Sequence, residues 1–237
     1  MITRSDFAEL VEGAAQRLLA SGLVRGDVVA VAARNGLELA VAQFACARAY
    51  LVLCGLNIHQ APALWDYLLR SSGASLVLAQ AEFVAGLPGA EDAAAVLLAG
   101  PKPWAYDAAR DQPDEAATYC LVHTSGTTGR PKASRVVHRC SVHAAMTYAH
   151  LLDLRPDDVS AVLFPLYYVA AMHAHLLLRR REVSTEALPA LRRVAMGGSP
   201  WPPGMEQALR EQLPSVTLYD VYGRSETHSP ATLLDDA

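Results

Sequence analysis

The 237 residues, 52% of them hydrophobic, suffice for one large α/β domain or two small ones with a packed core. A formal net charge of −4, from 20 basic and 24 acidic residues with no basic run longer than Arg179–Arg181, leaves no electrostatic footprint for nucleic acid. No apolar stretch reaches the ~18 residues of a membrane span, so a small-molecule substrate is the default, and the polar start MITRSDFAEL predicts a cytoplasmic protein.

In chain order, Asp6 is expected to cap a helix whose apolar positions Phe7, Leu10, Val11, Ala14 and Leu18 follow helical spacing, with Gly22 as its stop. VVAVAA (28–33) reads as a strand and the run 35–50 as a helix. LVLCGLNI (51–58), 61–73 and ASLVLAQ (74–80) then repeat strand, helix, strand. This alternation predicts parallel β-α-β units with helices covering the sheet. Residues 86–117 hold four prolines and three glycines around one short strand candidate, AAVLLA (94–99), and form a seam between a first unit (1–117) and a second (118–237) of one core. TYCLVH (118–123) is the next strand. It leads into a glycine-rich loop, and the run 134–154 is expected to be helical, which gives the strand, loop, helix order of a phosphate site. Segment 159–178 starts as a strand and is broken at Pro165; 191–203 and 216–228 each run from strand into loop.

That loop, TSGTTGRPK (124–132), carries the chemistry. Backbone N–H groups and hydroxyls of Thr124, Ser125, Gly126, Thr127, Thr128 and Gly129 can wrap phosphoryl oxygens because glycine permits close approach, and Lys132 adds a point charge. The spacing G-x-x-G-x-x-K, with no Ser or Thr after the lysine, disfavours a P-loop NTPase. Cys46, Cys54, Cys120 and Cys140 show no CxxC spacing and read as buried thiols without assigned chemistry. His123, His138, His143, His150, His173 and His175 have no carboxylate or cysteine at a spacing that completes a metal set.

TSGTTGRPK resembles the phosphate-loop signature of the adenylate-forming superfamily, which comprises acyl-coenzyme A synthetases, nonribosomal peptide adenylation domains and luciferases. YDVYGRSE (219–226), VAMGGSPWPP (194–203) and FPLYYVAA (164–171) are similar to three further family segments, in the family's order. The resemblance covers nearly the whole chain and implies an α/β fold of largely parallel sheets flanked by helices, the N-terminal core of that family. It implies that residues 124–132 hold the β- and γ-phosphates of ATP, that Tyr222 stacks on adenine, and that Gly197, Gly198, Ser199, Asp220 and Gly223 line the nucleotide and substrate pocket. Ser225, in place of the usual threonine, would reach the α-phosphate, Glu226 would coordinate Mg²⁺, and Tyr168 would stand beside the acyl substrate. The reaction implied is ATP-dependent activation of a small carboxylic acid as its acyl-adenylate, with coenzyme A, a carrier-protein thiol or an amine as acceptor.

The resemblance implies a protein about twice as long, so after Glu226 no counterpart of the lid with its catalytic lysine is expected in these 237 residues. Relatives also insert further β-α units between the segments 173–185 and 186–198. Three functions are therefore open: acid activation, slow by the chain itself or with a partner subunit supplying the lysine, acyl or aminoacyl transfer or ligation from a preactivated substrate, and a non-catalytic nucleotide-binding or scaffold module. The shortened chain is expected to expose apolar surface, which a homodimer or a partner subunit would cover.

Overall fold

The structure is a computed structural model and describes residues 2–105, 112, 114–123, 130–155, 191–197, 201–223 and 230–235. Contacts divide the chain into two compact units, 1–139 and 140–237.

The first unit opens with α1 (Arg4–Ala20). Its cap is Thr3, not Asp6: the Thr3 hydroxyl accepts the Asp6 N–H at 3.1 Å, and the Asp6 carboxylate accepts the Thr3 N–H at 3.0 Å. An acidic residue three positions into a helix reaches back to the cap, so Asp6 completes a capping box instead of starting the helix. Strands and helices then alternate: β1 (Val28–Ala32), α2 (Leu37–Ala49), β2 (Val52–Gly55), α3 (Pro62–Ser72) and β3 (Ala74–Ala79). Pro62 suits the first turn of α3, and Gly73 closes that helix at φ 66°, a conformation that favours glycine.

Next come α4 (Ala81–Val84), β4 (Glu91–Asp92) and α5 (Ala93–Leu97). Residues 94–99, expected as a strand, are thus largely helix. The Asp92 carboxylate accepts the N–H groups of Ala94 and Ala95 at 2.8 and 3.1 Å. At the other end, the Arg17 guanidinium donates to the carbonyls of Val96, Leu97 and Gly100. Both helix termini are satisfied by side chains, one of them about 80 residues distant, and that tertiary support overrides the β-branched look of a short run.

The main sheet is ordered β4-β3-β1-β2-β5-β6, where β5 is Thr118–His123 and β6 is Ala133–Val137. Every neighbouring pair is parallel except β5 and β6. The small residues Ala30, Ala32, Cys54 and Ala79 let Trp65 and Leu68 of α3 approach one face closely. Val29 and Val31 alternate to the other face, where right-handed crossovers put α2, packed with α1 and α5. Between these helices lies a buried ion pair: Arg48 Nε stands 2.9 Å from Glu12, with side chains 8% and 0% exposed.

Residues 134–154 are not one helix. β6 occupies the first part and α6 (His138–Leu151) the second. The run has helical composition, but an antiparallel place beside β5 buries Val136 and satisfies the backbone of the sheet edge.

The described part of the second unit is built on β7 (Arg193–Gly197), α7 (Met205–Gln212), β8 (Thr217–Gly223) and β9 (Pro230–Asp235). β7 and β8 are parallel, and β9 returns antiparallel to β8. Met205, Leu209 and Leu213 pack with Met196, Val216 and Leu218 in this unit's core. α6 exposes Val142 and Met146 among the described residues. No described helix is long and apolar enough to cross a membrane.

Candidate functional site

The site begins where β5 ends. Cys120, Val122 and His123 are buried, and His123 pairs with Ala133 of β6 across the base of a hairpin. Thr124, Ser125, Gly126, Thr127, Thr128 and Gly129, between these strands, lie outside the described residues. The chain returns at Arg130, whose guanidinium sits 5.1 Å over the Tyr67 ring, and the Tyr67 hydroxyl donates to the Pro131 carbonyl at 3.3 Å. The exit of the loop is thereby fastened to α3. Lys132 follows, exposed at the entry to β6.

The strand, loop, helix order expected here is therefore strand, loop, strand. With β6 next in line after Lys132, no helix N-terminus follows directly on these residues. β5 runs parallel to β2, so His123 reaches the edge of the sheet where β1, β2 and β3 also end. In open α/β sheets that carboxyl edge is the usual place for a ligand.

In the second unit, Gly197 ends β7 beside Val221 of β8. A Cβ on Gly197 would lie 2.5 Å from the Val221 carbonyl oxygen, so the two strands approach closely only because this residue is glycine. Leu218, Asp220 and Tyr222 share one face of β8. Leu218 lies in the core with α7, whereas Asp220 and Tyr222 are exposed, Tyr222 at 53%. Gly223 ends the strand, half-buried. The segments after 197 and 223 thus both leave from the carboxyl edge of the β7–β8 pair. Gly198, Ser199, Ser225, Glu226 and Tyr168 lie outside the described residues, as do His173 and His175.

Other reactive side chains have structural settings. Burial pushes the thiols of Cys46 and Cys120 up to about 12 and that of Cys54 to about 11, which removes their nucleophilic form at neutral pH. His138, whose pKa is lowered chiefly by burial, packs against the rings of Tyr50 and Tyr119. Two features at the loop escape sequence reading: the Tyr67 clamp on Pro131 and Arg130, and the burial of His123 with neither ring nitrogen hydrogen-bonded. Residue type alone signals neither, since both depend on how α3 and β6 pack beside β5.

A family model described as "AMP-binding enzyme" matches residues 1–180. The chain is 32% identical over 179 residues to a feruloyl-CoA synthase of an Amycolatopsis species, covering 72% of this chain and 35% of that protein. Among solved structures, the N-terminal subdomain of Klebsiella oxytoca NpsA, in complex with 3-hydroxyanthranilyl-AMSN, superposes with a TM-score of 0.80 at 17% identity, covering 100% of this chain and 70% of that one. O-succinylbenzoate coenzyme A synthetase of Bacillus subtilis, solved with ATP and magnesium ion, gives a TM-score of 0.75 at 20% identity, covering 96% and 56%. The chain spans 39%, 22% and 35% of three curated relatives that it matches. These likenesses agree with the expected α/β fold of mostly parallel strands flanked by helices.

Proposed function

Because the chain belongs to the AMP-binding enzyme family, whose model covers residues 1–180, we propose that it binds ATP and takes part in activating a small carboxylic acid as its acyl-adenylate. A carboxylate oxygen attacks the α-phosphorus, the bond to the β-phosphate breaks, and pyrophosphate leaves. No side-chain nucleophile is needed: charge builds on phosphate oxygens, where fixed dipoles and cations stabilise it.

The carrying observation is that TSGTTGRPK lies inside the matched region with its lysine exposed at the sheet's carboxyl edge. Lys132 and the hydroxyls and N–H groups of 124–129 suit the β- and γ-phosphates. Tyr222 offers an exposed ring for adenine, and Asp220 an exposed carboxylate beside it. Gly197, Gly198, Ser199 and Gly223 would complete the walls, Ser225 would donate to the α-phosphate, and Tyr168 would meet the acid. Magnesium, when bound, neutralises charge on the phosphate oxygens, and Glu226 is an oxygen ligand of the kind it takes. Coenzyme A, a carrier-protein thiol or an amine would accept the acyl group. A homodimer or partner subunit over the exposed side chains of Val142 and Met146 belongs to the same proposal.

Titration calorimetry tests the nucleotide part. Lys132→Ala should weaken ATP binding on the order of tenfold, the value of one charge-assisted contact, with the melting temperature unchanged because the side chain is exposed. Equal affinity for the two proteins would contradict the assignment of Lys132.

A further inference from the structure

His123 is 8% exposed, and neither Nδ1 nor Nε2 has a hydrogen-bond partner. Buried polar groups in folded proteins are nearly always paired, and each exception calls for a physical reason. The other buried unpaired atoms among the described residues are Gln60 Oε1, His138 Nε2 and Trp201 Nε1, each a single atom on a half-buried residue. His123 alone among them has both ring nitrogens unpaired and its side chain enclosed.

Its position is as informative as its isolation. It is the last residue of β5, at the carboxyl edge of the parallel sheet, and its partner Ala133 adjoins Lys132. Leu121, two residues earlier on the same face of β5, packs with the Trp65 and Leu68 cluster, so the ring lies on the α3 side of the sheet. On that side Arg130 is held over Tyr67. A buried donor and two cations, Arg130 and Lys132, thus flank the two ends of one loop.

We infer that His123 donates a hydrogen bond from its buried ring to a phosphoryl oxygen of the nucleotide, and so fixes the register of the polyphosphate at the root of the β5–β6 hairpin. The inference rests on the nucleotide reading above. Burial lowers the imidazole pKa, so the ring stands neutral with one N–H to give. The ring is closed to water in the free protein, so the bond forms as the arriving anion uncovers the nitrogen, and an N–H without a competing partner makes that bond discriminating.

The test compares wild type with His123→Phe and His123→Gln, using calorimetry with ATP and with inorganic tripolyphosphate, and ring-nitrogen NMR of the wild-type histidines. His123→Phe removes the unpaired atoms at similar volume, so its melting temperature should hold or rise while affinity for both ligands falls about 10- to 100-fold. His123→Gln, which keeps a donor, should recover most of that loss. The His123 ring signals should move on adding tripolyphosphate to the wild type. Wild-type affinity in His123→Phe overturns the inference and leaves the nucleotide reading intact. No binding of either ligand to the wild type overturns both. If His123→Phe does not fold, unmoved ring signals in the liganded wild type overturn the inference.

Discussion

Arg48→Ala is expected to destabilise the first unit by about 3–5 kcal/mol, because it leaves the carboxylate of Glu12 buried without its counter-charge. Glu12 is fully enclosed, its Oε2 lies 2.9 Å from Arg48 Nε, and its Oε1 accepts from the Gln16 side chain at 2.8 Å. The arginine does more than neutralise. It donates to the Ala105 carbonyl at 2.6 Å and lies 4.3 Å over the Trp104 ring, so it also ties the segment after α5 to α2. Thermal unfolding should show a midpoint lower by about 10 °C. Replacing both partners, Glu12→Leu with Arg48→Met, should recover most of the loss, since the penalty comes from the stranded charge and not from the absence of a pair. An unchanged midpoint for Arg48→Ala would mean that the pair is not buried as described.

Gly197→Ala should cost about 3 kcal/mol in the second unit and weaken ATP binding with it. The added methyl would lie 2.5 Å from the Val221 carbonyl oxygen and 3.1 Å from the Val221 Cβ. The first of these is backbone and cannot rotate away, so β7 and β8 must separate. Tyr222, the exposed ring assigned to adenine, is the next residue along β8 and would shift with Val221. Gly36→Ala serves as a control: its nearest neighbour is the flexible Glu38 carboxylate at 3.2 Å, and its effect should stay below 1 kcal/mol. Urea unfolding and calorimetry on both variants check the contrast, and equal costs would contradict it.

The first 80 residues were legible because apolar runs of strand length alternate with helices that carry their own stops, such as Gly73. The family was legible for a different reason: the glycines, hydroxyls and lysine of TSGTTGRPK form a pattern that chemistry constrains more tightly than packing does, and it lies within the matched residues 1–180. Elements settled by distant partners were not legible. Residues 93–97 are helical because Arg17 reaches their last carbonyls from α1, and 133–137 form a strand because β5 presents an edge. α7 was hidden by its charge and by its position between Pro202–Pro203 and Pro214, with Met205 and Leu209 its buried positions. At the candidate site, Lys132 was proposed from its loop and Asp220 and Tyr222 from the family resemblance, whereas the isolation of His123 exists only once β6 and α3 pack beside it.

The reading of this chain as an adenylate-forming protein stands most directly on acid-dependent exchange of labelled pyrophosphate into ATP, run with a panel of small aromatic and aliphatic carboxylic acids. It predicts exchange above background that needs one class of acid, and a loss of that exchange in Lys132→Ala. Calorimetric binding of ATP with no exchange for any acid would contradict it.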